Sequence, residues 1–150
     1  MANVVPYAFP VELLTGTHNF SNGGNTFKLA LYTASPYTTA STAYVTTNEV
    51  SSAGGSQYGA GGNTLTGQQL TNINNVATVD FAQTVWGTPT AATFTAAFGA
   101  IYNDTQADKL VVVLDFGGDK SCSNGTFTIT FPDPTTGTPA GTDAILSITS

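Results

Sequence analysis

Apolar and polar side chains alternate most cleanly over residues 127–131. Phe127, Ile129 and Phe131 fall on one face there, and Thr126, Thr128 and Thr130 on the other. That period predicts a strand with one buried and one wet face. Just upstream, residues 110–116 are apolar on both alternating sets until Asp115, the pattern of a strand covered on both sides. Gly117-Gly118 loosens the exit from this run, and Asn124-Gly125 tolerates positive φ at the entry to the next. Together these features predict a β-hairpin over residues 109–131, around which the rest of the chain packs.

Other segments extend the β pattern. Residues 26–33 place Phe27, Leu29 and Leu31 inward and Lys28, Ala30 and Tyr32 outward. Residues 93–103 put Phe94, Ala96, Phe98, Ala100 and Tyr102 on one face, with Gly99 opposite them marking a bulge or a close backbone approach. With the turn at 103–108, residues 93–131 read as a three-stranded antiparallel meander. Shorter strands are predicted near 43–46, 65–70, 75–81 and Trp86. A last strand at 144–149 would close the core through Ala144, Leu146 and Ile148.

One helix is predicted, over residues 9–16. Pro10 suits its first turn, Gly16 its end, and Val11, Leu13 and Leu14 form an apolar side to rest on the sheet edge. Residues 34–64 and 134–142 read as loops rich in Gly, Pro, Ser and Thr. A long loop in a compact domain is either functional or a surface excursion, and both readings of 34–64 stand. No internal repeat is visible. The expected fold is all-β, an antiparallel sandwich of jelly-roll-like topology with an immunoglobulin-like sandwich as the alternative. Residues 1–25 would form an N-terminal arm and short helix packed on it, and residues 26–150 a single sandwich domain.

Composition narrows the function classes. The 150 residues hold three lysines, no arginine and nine acids, for a net charge of −6. A nucleic-acid binder needs a basic footprint, so no direct nucleic-acid contact is expected. Residues 1–20 lack a basic, apolar leader pattern, and the longest aliphatic run, 110–114, is far short of the ~20 residues of a membrane span. The expectation is a protein made in the cytoplasm, with no membrane partner. The lone cysteine, Cys122, excludes an intrachain disulfide. An uncharged Thr/Ser/Asn/Gly coat leaves little repulsion between copies, which favours self-association or docking on a larger body.

Candidate chemistry is sparse. His18, the single histidine, has no Gly-x-Ser-x-Gly elbow or cysteine signature to serve, and is expected to hold its own corner by hydrogen bonds. Asp104, Asp108, Asp115 and Asp119 could act as paired carboxylates in glycoside hydrolysis if two lay ~5 to 10 Å apart across a cleft. Aspartates in turns more commonly bond nearby backbone N–H groups. Residues 119–125 share the start of a calcium loop but lack its further carboxylates, leaving an ion near Asp119 as an open possibility. The glycines at 54–62 lack any phosphate-cradle spacing. Tyr37, Tyr44, Tyr58 and Trp86 could stack on sugars, or sit in a core or interface. No catalytic residue, cofactor or metal ligand is assigned.

The segments Gly16-Thr-His-Asn-Phe20, Thr26-Phe-Lys-Leu-Ala-Leu-Tyr-Thr33, Ala43-Tyr-Val-Thr-Thr-Asn-Glu-Val50, Gly99-Ala-Ile-Tyr-Asn-Asp104 and Lys109-Leu-Val-Val-Val-Leu-Asp-Phe-Gly-Gly118 resemble a family of small tailed-bacteriophage virion proteins. The most similar members are the β-sandwich cement, or decoration, proteins of capsids. The resemblance implies a non-enzymatic structural protein on the capsid exterior that binds the major capsid protein, self-associates on the lattice and stabilises the assembled head. The alternative is a tail-associated or capsid-exposed module holding host glycans through Tyr58, Trp86 or neighbouring aromatics. Contacts to the capsid are expected from the arm, through Val4, Val5 and Tyr7, and from the Gly/Tyr loop, through Tyr37, Tyr44 and Tyr58.

Overall fold

The computed structural model describes residues 3–133 and 144–149. The described elements are one helix, α1 (Ala8–Leu14), and the strands β1 (Phe27–Tyr32), β2 (Asn63–Thr64), β3 (Gln69–Ile73), β4 (Val76–Asp80), β5 (Thr84–Trp86), β6 (Ala92–Asn103), β7 (Lys109–Gly125), β8 (Phe127–Ile129) and β9 (Leu146–Thr149). They pair antiparallel into a four-stranded sheet, β2-β1-β6-β7, a three-stranded sheet, β3-β4-β9, and the pair β5-β8.

One face of the large sheet carries Phe27, Leu29 and Leu31 from β1, Ile101 from β6 and Val112 from β7. These meet Val79 of β4, Trp86 of β5 and Phe127 of β8 in the main core. Apolar residues from facing sheets thus interdigitate, and the fold is the expected all-β antiparallel sandwich. The opposite face is covered too. Ala30 and Tyr32 of β1, expected to look outward, are fully buried with Ala100, Tyr102, Leu110 and Val113 beneath Tyr37, Tyr44 and Val4. The 34–50 segment folds back over this face, so β1 is a two-sided core strand.

The predicted hairpin over 109–131 is not formed. Strand β7 runs unbroken through Gly117 and Gly118, whose φ values of 72° and 125° absorb an irregularity without reversing the chain. Beyond them Lys120, Ser121 and Cys122 still pair with Ala96, Thr95 and Phe94 of β6. The true hairpin is therefore β6–β7, turned by Ala107 and Asp108 at φ 52° and 57°. Asn124, at φ 49°, bends the end of β7, where Gly125 makes the last pairing with Ala92, and β8 pairs instead with β5, Trp86 opposite Phe127. The meander of 93–131 is replaced by this two-stranded unit plus a separate strand.

Register shifts also divide β6. Phe94 and Ala96 lie in the main core, whereas Phe98, Ala100 and Tyr102 lie on the other face. A shift between Ala96 and Phe98 separates the two sets, so the single face predicted from alternation is split by a bulge. Gly99 is indeed a close approach: a Cβ there would stand 3.0 Å from Leu29 Cδ1 and 3.1 Å from Phe116 Cζ.

Other expectations shift in detail. The strand near 43–46 reduces to one bridge, Ala43 with Lys109, and that at 65–70 is displaced to β2 and β3, leaving Leu65 buried between them. In β9 Leu146 is half-buried but Ile148 is exposed, so the last strand closes less of the core than predicted. The 134–142 loop lies outside the described residues.

Helix α1 ends as Gly16 implies. Gly16 adopts φ 72° while its N–H bonds the Leu13 carbonyl and the Thr17 N–H bonds the Glu12 carbonyl, a Schellman stop. Of its predicted apolar side, only Leu13 packs inward. Phe9 enters the main core and Leu13 packs against it, which leaves Val11 and Leu14 on the solvent side.

Candidate functional site

The 34–64 excursion is held by tyrosine hydroxyls around one carboxylate. Residues 48–50 lie along the end of β1, with the Val50 N–H bonding the Leu31 carbonyl and the Thr33 N–H the Asn48 carbonyl. This puts Glu49 over the sheet, where Oε1 accepts from the Tyr58 hydroxyl at 2.7 Å and the Gly61 N–H at 2.7 Å, and Oε2 from the Tyr44 hydroxyl at 2.6 Å. Tyr58 also accepts the Leu31 N–H at 2.9 Å, its hydroxyl standing where a strand carbonyl would. The Tyr102 hydroxyl donates to the Gly61 carbonyl, and the Tyr44 and Tyr102 rings stack at 4.7 Å. Tyr32 and Tyr37 share a hydroxyl contact of 2.7 Å, with Tyr32 donating to the Val45 carbonyl and the Val45 N–H donating to Tyr37. Burial first, and then Glu49, push the hydroxyl pKa values of Tyr44 and Tyr58 upward.

These bonds bury two of the six residues expected to make contacts. Tyr37 and Tyr58 are each 3% exposed and belong to the core, and Tyr44 is half-buried. The flanking glycines of Tyr58 contribute no side chains, but its own ring fills the space between Trp86 and Phe94. Trp86 is 2% exposed, so neither ring offers a free face to a sugar. Val4 is half-buried and exchanges two backbone hydrogen bonds with Val113 on the β7 edge. Val5 and Tyr7 remain accessible.

Tyr7, the N-cap residue with helical φ and ψ, is spaced i, i+4, i+7 with Val11 and Leu14 of α1, so the three share one stripe. They are 74%, 62% and 90% exposed. The expected single apolar side joined Val11 and Leu14 to Leu13 and left Phe9 out, so the exposed stripe went unnoticed. The spacing of Phe9 and Leu13, i and i+4, was the available signal that a second apolar stripe had already claimed the core. The outer stripe carries no charge of its own.

Behind the helix lies a second polar cluster. Glu12 Oε1 takes the Lys109 ammonium and Oε2 lies 3.1 Å from His18 Nε2. His18 Nδ1 lies 3.0 Å from Asn103 Nδ2, which also donates to Asn25 Oδ1 at 3.0 Å. His18 thus holds its corner, as expected, and does so by joining the helix to β6. Burial lowers the His18 pKa against the opposing pull of Glu12. Burial raises that of Glu12, but the hydrogen bonds from Lys109 and His18 outweigh it and leave the carboxyl below its usual range.

The four aspartates fall into two groups, one in the β6–β7 turn and one along β7. Asp104 pairs with Lys28 at 2.8 Å, and Asp108 sits in the same turn with its carbonyl bonded to the Tyr44 N–H. Asp115 accepts the Gly117 N–H and Asp119 stands exposed farther along β7. At about 3.3 Å per residue, the seven residues from Asp108 to Asp115 span roughly 20 Å, too far for one glycosidic bond. Among the described residues no three His, Cys, Asp or Glu side chains gather as a metal site. A shallow groove of about 590 Å³ runs between β7 and β8, lined by Leu114, Phe116, Lys120, Phe127, Ile129 and Phe131 among others. No described helix is long and apolar enough to cross a membrane.

No family model, curated protein or solved structure matches this chain.

Proposed function

We propose that this chain is a non-enzymatic structural protein of a tailed-phage virion, a cement protein that docks on the outside of the assembled head. The supporting observation is the exposed stripe of Tyr7, Val11 and Leu14 on a helix whose opposite side is anchored in the core and tied by Glu12 to Lys109. A rigid apolar stripe rimmed by uncharged side chains suits the centre of a protein interface. Its partner in this reading is the major capsid protein, with Val5 beside the stripe and further copies of the chain as lattice neighbours. Many identical weak contacts would then add through multivalency to resist internal pressure.

Two further features support a structural role over a catalytic one. The histidine and Glu49 are committed to hydrogen bonds that hold segments in place, and Asp104 and Asp115 are engaged by Lys28 and the Gly117 N–H. The glycan-binding alternative loses Tyr58 and Trp86 as platforms, since both rings are covered.

Purified particles provide the test. A cement protein occurs in copy numbers comparable to the major capsid protein, so its band should approach that intensity on a stained gel, and particles lacking it should lose infectivity on heating. A band corresponding to a few copies per particle, or equal heat resistance with and without the protein, would refute the proposal.

A further inference from the structure

The hydrogen-bond directions around His18 are fixed by what its neighbours can donate. The His18 side chain is fully buried, ringed by Phe9, Phe20 and Phe27. The charged groups facing it are Glu12 from α1 and Lys109 from β7, while β6 supplies the neutral Asn103. Asn103 Nδ2 is a donor, so Nδ1 of the ring must accept and Nε2 must carry the proton that goes to Glu12. The two hydrogens of Nδ2 are then used on His18 and on Asn25 Oδ1. Asn103 Oδ1, in a residue with no exposed surface, has no partner.

We infer that His18 and the Asn103 carboxamide form an acid-sensitive latch, which joins Asn25 to the sheet at neutral pH and releases it when the ring takes a second proton. A proton on Nδ1 sets N–H against N–H at 3.0 Å. Turning the Asn103 amide over relieves that conflict and gives the orphaned Oδ1 a donor. The same turn sets Oδ1 against Asn25 Oδ1, where Nδ2 had been, so the bond to Asn25 breaks. Asn25 Oδ1 meanwhile accepts the Asn19 N–H at 2.8 Å, and its carbonyl-side neighbour bond, Asn25 N–H to the Asn19 carbonyl, closes the same loop. One proton in the core therefore reaches the surface loop of residues 19–25. Glu12, held charged by Lys109, keeps its grip on Nε2 throughout, so α1 stays in place while the loop loosens.

The folded ring resists protonation relative to the unfolded chain. The latch is closed above the ordinary histidine value of about 6.5 and opens only as pH falls below it. Nitrogen-15 NMR of the ring and of the Asn103 and Asn25 side-chain amides, followed from pH 8 to pH 4 on the intact chain, tests this directly. The expected result is an Nε2–H tautomer at neutral pH, and amide signals of both asparagines moving with the same midpoint as the ring. In Asn103→Asp, which offers Nδ1 an acceptor, the midpoint should rise by at least one pH unit. An Nδ1–H tautomer at neutral pH would overturn the inference. So would a ring that titrates while both amides stay still, or one that stays neutral until the whole domain unfolds.

Discussion

The Tyr58 hydroxyl donates to Glu49 Oε1 at 2.7 Å and accepts the Leu31 N–H at 2.9 Å, linking a glycine-rich loop to the central strand through one oxygen. Removing that oxygen alone isolates its contribution. Tyr58→Phe keeps the ring between Trp86 and Phe94 but leaves the Leu31 N–H buried without an acceptor and Glu49 short of a donor. The expected loss is about 1–3 kcal/mol in chemical denaturation, with little change in the denaturant slope. Stability within error of the parent would show that water replaces the hydroxyl.

Gly62 is the tightest point of the same loop. Its φ is 76°, and a Cβ there would lie 1.9 Å from the Leu29 carbonyl oxygen, a backbone atom that cannot swing aside. Gly62→Ala should therefore cost well over the roughly 1 kcal/mol of an ordinary glycine-to-alanine strain, and pull β2 from β1. Gly54→Ala, also at positive φ but with open space around it, should cost only that backbone strain. Equal melting temperatures for the two variants would contradict this account.

The sandwich was legible because β1 and β7 carry apolar residues at strand spacing, although burial extends to both faces of these two strands. What alternation could not show was a change of phase. The shift between Ala96 and Phe98 moves Phe98, Ala100 and Tyr102 to the other face, and Gly117-Gly118 reads equally well as a turn or as a bulge in a continuing strand. Of the residues expected to make contacts, only the accessibility could be compared with the fold. Val5 and Tyr7 are accessible, but Tyr37 and Tyr58 are buried because each ring carries a hydroxyl that finds a distant partner, Val45 or Glu49, and sequence spacing does not reveal such pairings.

Alkali should attack the fold through these tyrosines. Tyr32, Tyr37, Tyr44, Tyr58 and Tyr102 all have their pKa values raised, with burial the largest cause in each. The unfolded chain gives up these protons near pH 10 and the folded one does not, so the stabilisation is complete below about pH 10 and falls as pH rises above it. In a Tyr7→Phe background, which leaves only these five tyrosines, phenolate absorbance at 295 nm should then rise in one step coincident with loss of the circular-dichroism signal of the sheets. Stepwise ionisation of these five side chains within an intact fold would count against the network.

The division between holding and docking residues can be tested with two leucines. Leu31 has no exposed surface and lies in the main core, so Leu31→Ala should cost about 2–5 kcal/mol, a large share of the roughly 5–15 kcal/mol that stabilises a domain. Leu14 is 90% exposed at the end of α1, and glutamine has nearly the same helix propensity as leucine. Leu14→Gln should therefore stay within about 0.5 kcal/mol of the parent. Combined with Val11→Gln it should remove both aliphatic side chains of the exposed stripe without disturbing Phe9, Leu13 or the Glu12 tie. Co-sedimentation of the purified variant with heads lacking the native protein reads the consequence, and binding should fall at least tenfold while the melting temperature holds. Undiminished binding by the Val11→Gln, Leu14→Gln double variant would move the docking surface off the helix, even with the fold unchanged.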